Sequence, residues 1–274
     1  MGFLGTDMVI IAHPSELNDT TSRDSICAIR RALGAANIKT LIFPLTGEAY
    51  DAGLADTASK LDAAVIPFLQ LSDELQSTLT DADVTCTEPM VSNQDMNNPM
   101  VSVRYSLVRA QVTRLVERGK RSIIYVNWNS PNSHSLTQLH FFYAQMTCQE
   151  LGTAAPKQLE LSTDPQQIPT DILNLLRQVP NADGFACMDD QIAMATIYGL
   201  RQCGRMVPQD AAVIGIDALP EGEFFNPPIT SASVNRKLLA SSTLTYLAKK
   251  YGLDIDLTLD SDGSLVELVA RQSA

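Results

Sequence analysis

The sequence predicts an α/β protein built of two doubly wound parallel-sheet lobes joined by crossover segments. Two observations lead there. Short β-type runs alternate with longer stretches of helical period from residue 8 to about residue 250, the pattern of parallel sheets covered by helices. Eight such runs within 274 residues suit two successive units better than one sheet.

In order, the β-type runs are MVIIA (8–12), IKTLIFP (38–44), AAVIPF (63–68), MVSVR (100–104), SIIYV (122–126), QLELS (158–162), GFACM (184–188) and AAVIGI (211–216). Between them, SRDSICAIRRALGAA, YSLVRAQVTRLVERG, LTQLHFFYAQMTCQELG, TDILNLLRQ and DQIAMATIYGLRQCG carry apolar residues at helical spacing, and several end in Gly, as helices often do. The apolar face of LHFFYAQM assigns Phe142 to the core. The first lobe gives way to the second after Arg118-Gly119-Lys120, where a helix ends and SIIYV begins. After AAVIGID the pattern breaks: a Pro-rich turn FFNPPIT, a β-type ITSASV, a helix RKLLASSTLTYLAKKYG and a final LVELVARQS. A strand and helix arriving late imply that the chain crosses back rather than adding a third domain. The expected division is 7–118 with 228–250, and 119–227 with 251–274.

With 45% hydrophobic and 19% charged residues the chain can bury a core. Its formal charge of −11 argues against a broad phosphate-contacting surface. The opening MGFLGTDMVIIAHP has neither a basic leader nor an apolar run long enough for a signal peptide or membrane span. Five cysteines, Cys27, Cys86, Cys148, Cys187 and Cys203, form no C-x-x-C pair and read as reduced, mostly buried thiols of a cytoplasmic protein.

Residues 184–191 read GFACMDDQ, an apolar run ending in two adjacent carboxylates, Asp189 and Asp190. Neighbouring aspartates repel, so the pair needs a reason. A metal would require further hard ligands, and the sequence points to none. A phosphoacceptor pocket would want a lysine after a late strand, and none is suitably placed. Helix capping and ligand binding remain.

The stretch CMDDQIAMATIYGLRQCGRMVPQDAAVIGIDALPEGEFFNPPITSASVNRKLLASSTLTYL resembles the effector-binding core of LacI/GalR-family transcriptional regulators. The likeness is ordered: a strand ending in an acidic pair, a helix with small residues, Gly before Val-Pro-x-Asp, a strand ending in Gly-x-Asp, a Pro-rich step and another helix. RLVERGKRSIIYV resembles the family's step into the second lobe, NSHSLTQLHFFYA the helix behind the effector pocket, and LVELVARQS the closing strand. The resemblance runs from about residue 8 to the end and is strongest after residue 105.

It implies a periplasmic binding protein-like type I fold, with a ligand between the lobes beyond the carboxyl ends of the strands. Asp189 then accepts hydrogen bonds from sugar hydroxyls and Asp190 caps the next helix; alternatively both only cap. Asp217 corresponds to the family's acidic effector contact, or simply starts a turn. Gln138 stands where many relatives carry an arginine, which removes a charged bidentate grip. Arg104 could meet an anionic group, or point outward into solvent. Trp128 could stack on a pyranose face or pack on its own lobe, with Asn129 beside it. His13 and Ser15 follow the first strand, His13 as a hydrogen-bond donor or a structural residue, and Phe68 and Gln70 complete the first lobe's rim.

The implied function is a sensor: a sugar, sugar acid or sugar phosphate binds and changes the geometry of a homodimer, and thereby DNA binding. The family's helix-turn-helix is expected to be absent from this chain, so DNA contact would be indirect. No cofactor, metal, membrane contact or catalysis is expected, since GxGxxG after a strand, a P-loop, GxSxG and HExxH are all missing. The alternative is the solute-binding protein of a sugar transporter, because similar lobes occur there.

Overall fold

The computed structural model describes residues 6–14, 20–45, 48–68, 70–90, 97–129, 134–252 and 263–274. The chain divides into two compact units, 1–103 with 235–265 and 104–234 with 266–274.

The first unit holds a parallel sheet of β1 (Met8–Pro14), β2 (Lys39–Leu45) and β3 (Ala64–Pro67) in the order β2-β1-β3. Its helices are α1 (Thr20–Ala35), α2 (Glu48–Lys60), α3 (Asp73–Asp81) and, late in the chain, α9 (Arg236–Tyr251). Ile10, Ala12 and Val65 of the sheet bury against Leu54 and Ala58 of α2 and Leu75 and Leu79 of α3. The Ser72 hydroxyl caps α3 by accepting the Leu75 N–H at 3.3 Å, with Asp73 and Glu74 in the first turn, where negative charge offsets the helix dipole. Asn235 caps α9 through the Leu238 N–H at 3.1 Å. Gly252, at φ 64°, ends it in the left-handed conformation that costs glycine little.

The second unit holds six strands in the order β5-β4-β6-β7-β8-β9: β4 (Ile123–Trp128), β5 (Lys157–Leu161), β6 (Gly184–Cys187), β7 (Ala212–Ile216), β8 (Thr230–Val234) and β9 (Val266–Val269). All pairs are parallel except β8 with β9. Its helices are α5 (His134–Glu150), α6 (Ile168–Gln178), α7 (Asp190–Gln202) and α8 (Pro220–Phe224), with most of α4 (Pro99–Glu117). Phe185, Val213 and Ile124 of the sheet pack with Ile172 of α6 and Ile192, Ile197 and Leu200 of α7. The Ser273 hydroxyl donates to the Val213 carbonyl at 2.6 Å and accepts the Thr230 N–H at 2.9 Å, tying the chain's last residues across β7 and β8.

The α/β architecture with parallel sheets is the expected one, but one strand is not. MVSVR, read as a strand, forms the first turns of α4. Asn98 caps the helix by accepting the Met100 N–H at 2.9 Å, and Pro99 opens it, where a missing N–H costs nothing. Buried Met100, Val103, Leu107, Gln111 and Leu115 recur every three or four residues, a period the short run hid. Consequently the unit boundary falls at 103/104 rather than 118/119, because residues 104–117 pack with the second sheet. The later boundaries fall at 234/235 and 265/266, because β8 and β9 pair with β7's sheet.

Two smaller expectations also fail. Phe142 is exposed, since the buried face of α5 runs through Leu136, Leu139, His140, Tyr143, Ala144 and Cys148. All five cysteines are free thiols, but Cys27 and Cys86 are exposed.

Candidate ligand site at the strand ends

In an open parallel sheet, ligands settle beyond the carboxyl ends of the strands, where successive connections leave in opposite directions. In the second unit that point lies between β4 and β6: from β4 the chain moves to β5 on one side, then returns to β6 on the other. In the first unit the same logic selects the gap between β1 and β3.

Three of the expected residues follow neighbouring strand ends in the second unit. Continuing the β4/β6 ladder two residues past Val126↔Cys187 sets Trp128 beside Asp189. Asp217 follows Ile216 at the carboxyl end of β7, three residues past Ala186↔Ile214, the last rung of the β6/β7 ladder. Asp189 keeps extended angles (φ −151°, ψ 176°), and the Asp217 N–H still bonds to the Ala232 carbonyl at 2.9 Å. Trp128, Asp189 and Asp217 thus stand at the carboxyl ends of three adjacent strands, β4, β6 and β7.

The structure moves the helix cap that the sequence assigned to Asp190. Asp189, not Asp190, is the N-cap of α7: its Oδ1 accepts the Ile192 N–H at 2.7 Å. One carboxylate oxygen is thus committed to the helix while the residue stays partly exposed at the strand end. Asp190 is fully buried. Its Oδ1 accepts from the Ser231 hydroxyl and its Oδ2 from the Leu219 N–H, both at 2.7 Å. Burial pushes its carboxyl up to about 6, opposed by those hydrogen bonds and by the Arg271 charge. Asp190 fastens the loop after β7 to β8, and that loop carries Asp217.

Asp217 has φ 97° and Ala218 φ 50°, both in the region that L-residues occupy at a cost. Trp128 packs partly against the second unit's core, and the Asn129 N–H bonds to the Leu161 carbonyl at 2.7 Å. Beneath the row, Tyr125 is buried with its hydroxyl 3.2 Å from His140 Nδ1. Desolvation, then Cys187 and Asp189, raise the Tyr125 hydroxyl well above its ordinary value, so it stays a neutral phenol.

At the first unit's switch point, His13 and Phe68 stand edge to face with ring centroids 6.4 Å apart. His13 Nδ1 has no hydrogen-bond partner among the described residues. Gln70 is exposed on the rim of a small cavity with Gln76 and Cys86. Ser15 lies outside the described residues.

A family model for the periplasmic binding protein-like domain matches residues 112–273, more than half of the chain. The chain belongs to that family. It is 20% identical over 200 residues to the HTH-type transcriptional repressor PurR of Aliivibrio salmonicida (strain LFI1238), covering 72% of this chain and 57% of that protein. The chain therefore spans little more than half of that relative. Among solved structures, a complex of the transcriptional regulator CelR with cellobiose superposes with a TM-score of 0.68 at 19% identity, covering 98% of this chain and 85% of the other. The lac repressor dimer bound to operator and an anti-inducer gives 0.68 at 17%, covering 98% and 94%. Within the periplasmic binding protein-like family, the relatives and structural neighbours named here are transcriptional regulators.

For a domain of this family, two remaining sequence expectations shift. Arg104 is neither after a strand nor in solvent: it is buried on α4, and its charge acts on the Tyr143 hydroxyl of α5. Gln138 lies exposed on α5, while its buried neighbour Thr137 turns its hydroxyl to Met188 Sδ at 3.6 Å. Sequence reasoning missed Gln111, Ser231 and the Asn127–Gln158 pair (3.0 Å) that braces β4 against β5. Only Gln111 left a signal, as an amide on the otherwise apolar face of a helix. Among the described residues, no group of three His, Cys, Asp or Glu side chains could hold a metal, and no helix is long and apolar enough to cross a membrane.

Proposed function

We propose that this chain is the effector-sensing part of a LacI-type transcriptional regulator, and that it binds a small sugar-like molecule on the row formed by Trp128, Asp189 and Asp217. That row is the observation that carries the reading. Two carboxylates present acceptors for hydroxyl or amine donors, and an indole offers a flat apolar face. Like charges repel, so a neutral or amine-bearing sugar fits this row better than a sugar acid or sugar phosphate. Asn129, Gln138 and Arg104 are further proposed ligand residues of the second unit, and His13, Ser15, Phe68 and Gln70 are those proposed for the first.

Binding acts by differential affinity for two conformations, without turnover. The regulator works as a cytoplasmic homodimer whose DNA contacts are made by a helix-turn-helix segment. The relatives named above are regulators, which favours this over a transport receptor.

The test is thermal unfolding against cellobiose and a panel of sugars, amino sugars, polyols, sugar acids, sugar phosphates and nucleobases. A ligand at about 100 times its dissociation constant stabilises the native state by roughly 2.7 kcal/mol, a shift of several degrees. Asp217→Gly should separate function from stability. It relieves the φ 97° conformation and removes one carboxylate of the row, so it should fold yet abolish the ligand-induced shift. A panel that stabilises nothing, or a variant that keeps the full shift, would overturn the reading.

A further inference from the structure

The β6/β7 ladder ends at Ala186↔Ile214, short of the residues that carry Asp189 and Asp217. Beyond that rung the strands turn to other partners. The Met188 N–H bonds to Val126 of β4, and Gly215 and Ile216 register with Ser231 and Ala232 of β8. Backbone groups facing the parting strands need partners from elsewhere.

One side chain supplies them. Gln111, fully buried on α4, directs its Nε2 amide at the carbonyls of Cys187 (2.7 Å), Ile214 (3.0 Å) and Gly215 (3.1 Å). Cys187 lies two residues before Asp189, and Gly215 two before Asp217. The amide therefore bridges both strand ends, two residues before each acidic residue. Its Oε1 is buried with no hydrogen-bond partner among the described residues, so the side chain is fixed through its amino group. The geometry points to Gln111 as the positioning residue that sets the spacing of Asp189 and Asp217, and with it the size of ligand the row accepts. This inference rests on the proposed ligand row for its consequence, but its structural claim can be measured without a ligand.

Gln111→Met keeps the side chain's length and removes the donor. Leu115→Ala serves as the control: Leu115 is equally buried on α4 but packs beside Gly184, at the amino end of β6. Amide hydrogen exchange at Met188, Asp189 and Asp217 should be about tenfold faster in Gln111→Met and unchanged in Leu115→Ala after correction for global stability. Equal exchange in the two variants would overturn the inference.

Should Gln111→Met fail to fold, the wild type still decides. The Gln111 side-chain amide protons should exchange far more slowly than those of exposed Gln70, and exchange at the same rate would sink the proposal. For any sugar that stabilises the wild type, Gln111→Met should also weaken binding by about tenfold where Leu115→Ala does not. A wild type that no sugar stabilises would count against the functional reading alone, leaving the exchange comparison intact.

Discussion

Asp190→Asn is expected to make the protein more stable than the wild type near neutral pH and to remove a slope of stability between about pH 4 and 6. Asp190 is the only member of the acidic pair that is fully buried. Burial raises its carboxyl from 3.8 to about 6, despite the hydrogen bonds from Ser231 and Leu219 and the charge of Arg271. An acid whose folded value is raised contributes its full stability below pH 3.8 and loses it as pH climbs through 6. The loss is about 3 kcal/mol for a difference of this size. Asparagine cannot ionise, keeps an acceptor for the Leu219 N–H, and leaves the Ser231 hydroxyl free to turn.

Urea unfolding at pH 4, 5, 6, 7 and 8 on both proteins isolates this group, because every other titration cancels in the difference. The two curves should agree near pH 4 and separate in favour of the variant by pH 7. Parallel curves throughout would mean that Asp190 is ionised and fully compensated. Asp190→Ala should instead cost about 2–4 kcal/mol, since it leaves a cavity and a part-buried Leu219 N–H without its acceptor, and leaves the Ser231 hydroxyl only the Ala232 carbonyl at 3.4 Å.

The same acidic pair shows how far sequence reasoning reaches. Its position after a buried strand and before a helix is plain from GFACM followed by helical period, and so is the choice between cap and ligand. Which aspartate caps is not plain. The cap is whichever residue keeps extended angles while its oxygen meets the amide three residues on, and that depends on where β6 stops.

Similar limits apply to MVSVR, where alternating valines imitate a strand and only the Asn98-Pro99 start betrays a helix. In α2, EAYDAGLADTASK is too poor in large apolar residues to announce a period, although Leu54 and Ala58 bury fully. The α3 start, Ser72-Asp73-Glu74, is legible as a cap and charged first turn. Gln111 marks the harder limit: its partners lie 76 to 104 residues away in the chain, and only the fold brings them together.

Gly215→Ala should be among the most destabilising single changes in the second unit. A Cβ built on Gly215 would collide with the Asp190 carboxylate and lie 3.0 Å from the Asp190 Cα. Neither side can yield. The β7 strand is paired with β6 and β8, and Val213 is tied to Ser273. Asp190 is held by Ser231 and Leu219. Driving the carboxylate out breaks both of its hydrogen bonds while overpacking a filled site, a combined cost of about 3–5 kcal/mol.

A double variant tests the mechanism rather than the size. Asp190→Ala alone is destabilising, yet it removes the carboxylate that the new methyl group would strike, leaving only the tight approach to the residue 190 Cα. Gly215→Ala with Asp190→Ala should therefore be more stable than the sum of the single losses predicts, by about 1–3 kcal/mol for groups in direct contact. Denaturant unfolding of the four proteins gives that coupling directly. Additive losses would show that the methyl group is accommodated by movement of β7 itself, and that the close approach of strand and carboxylate does not fix this corner of the fold.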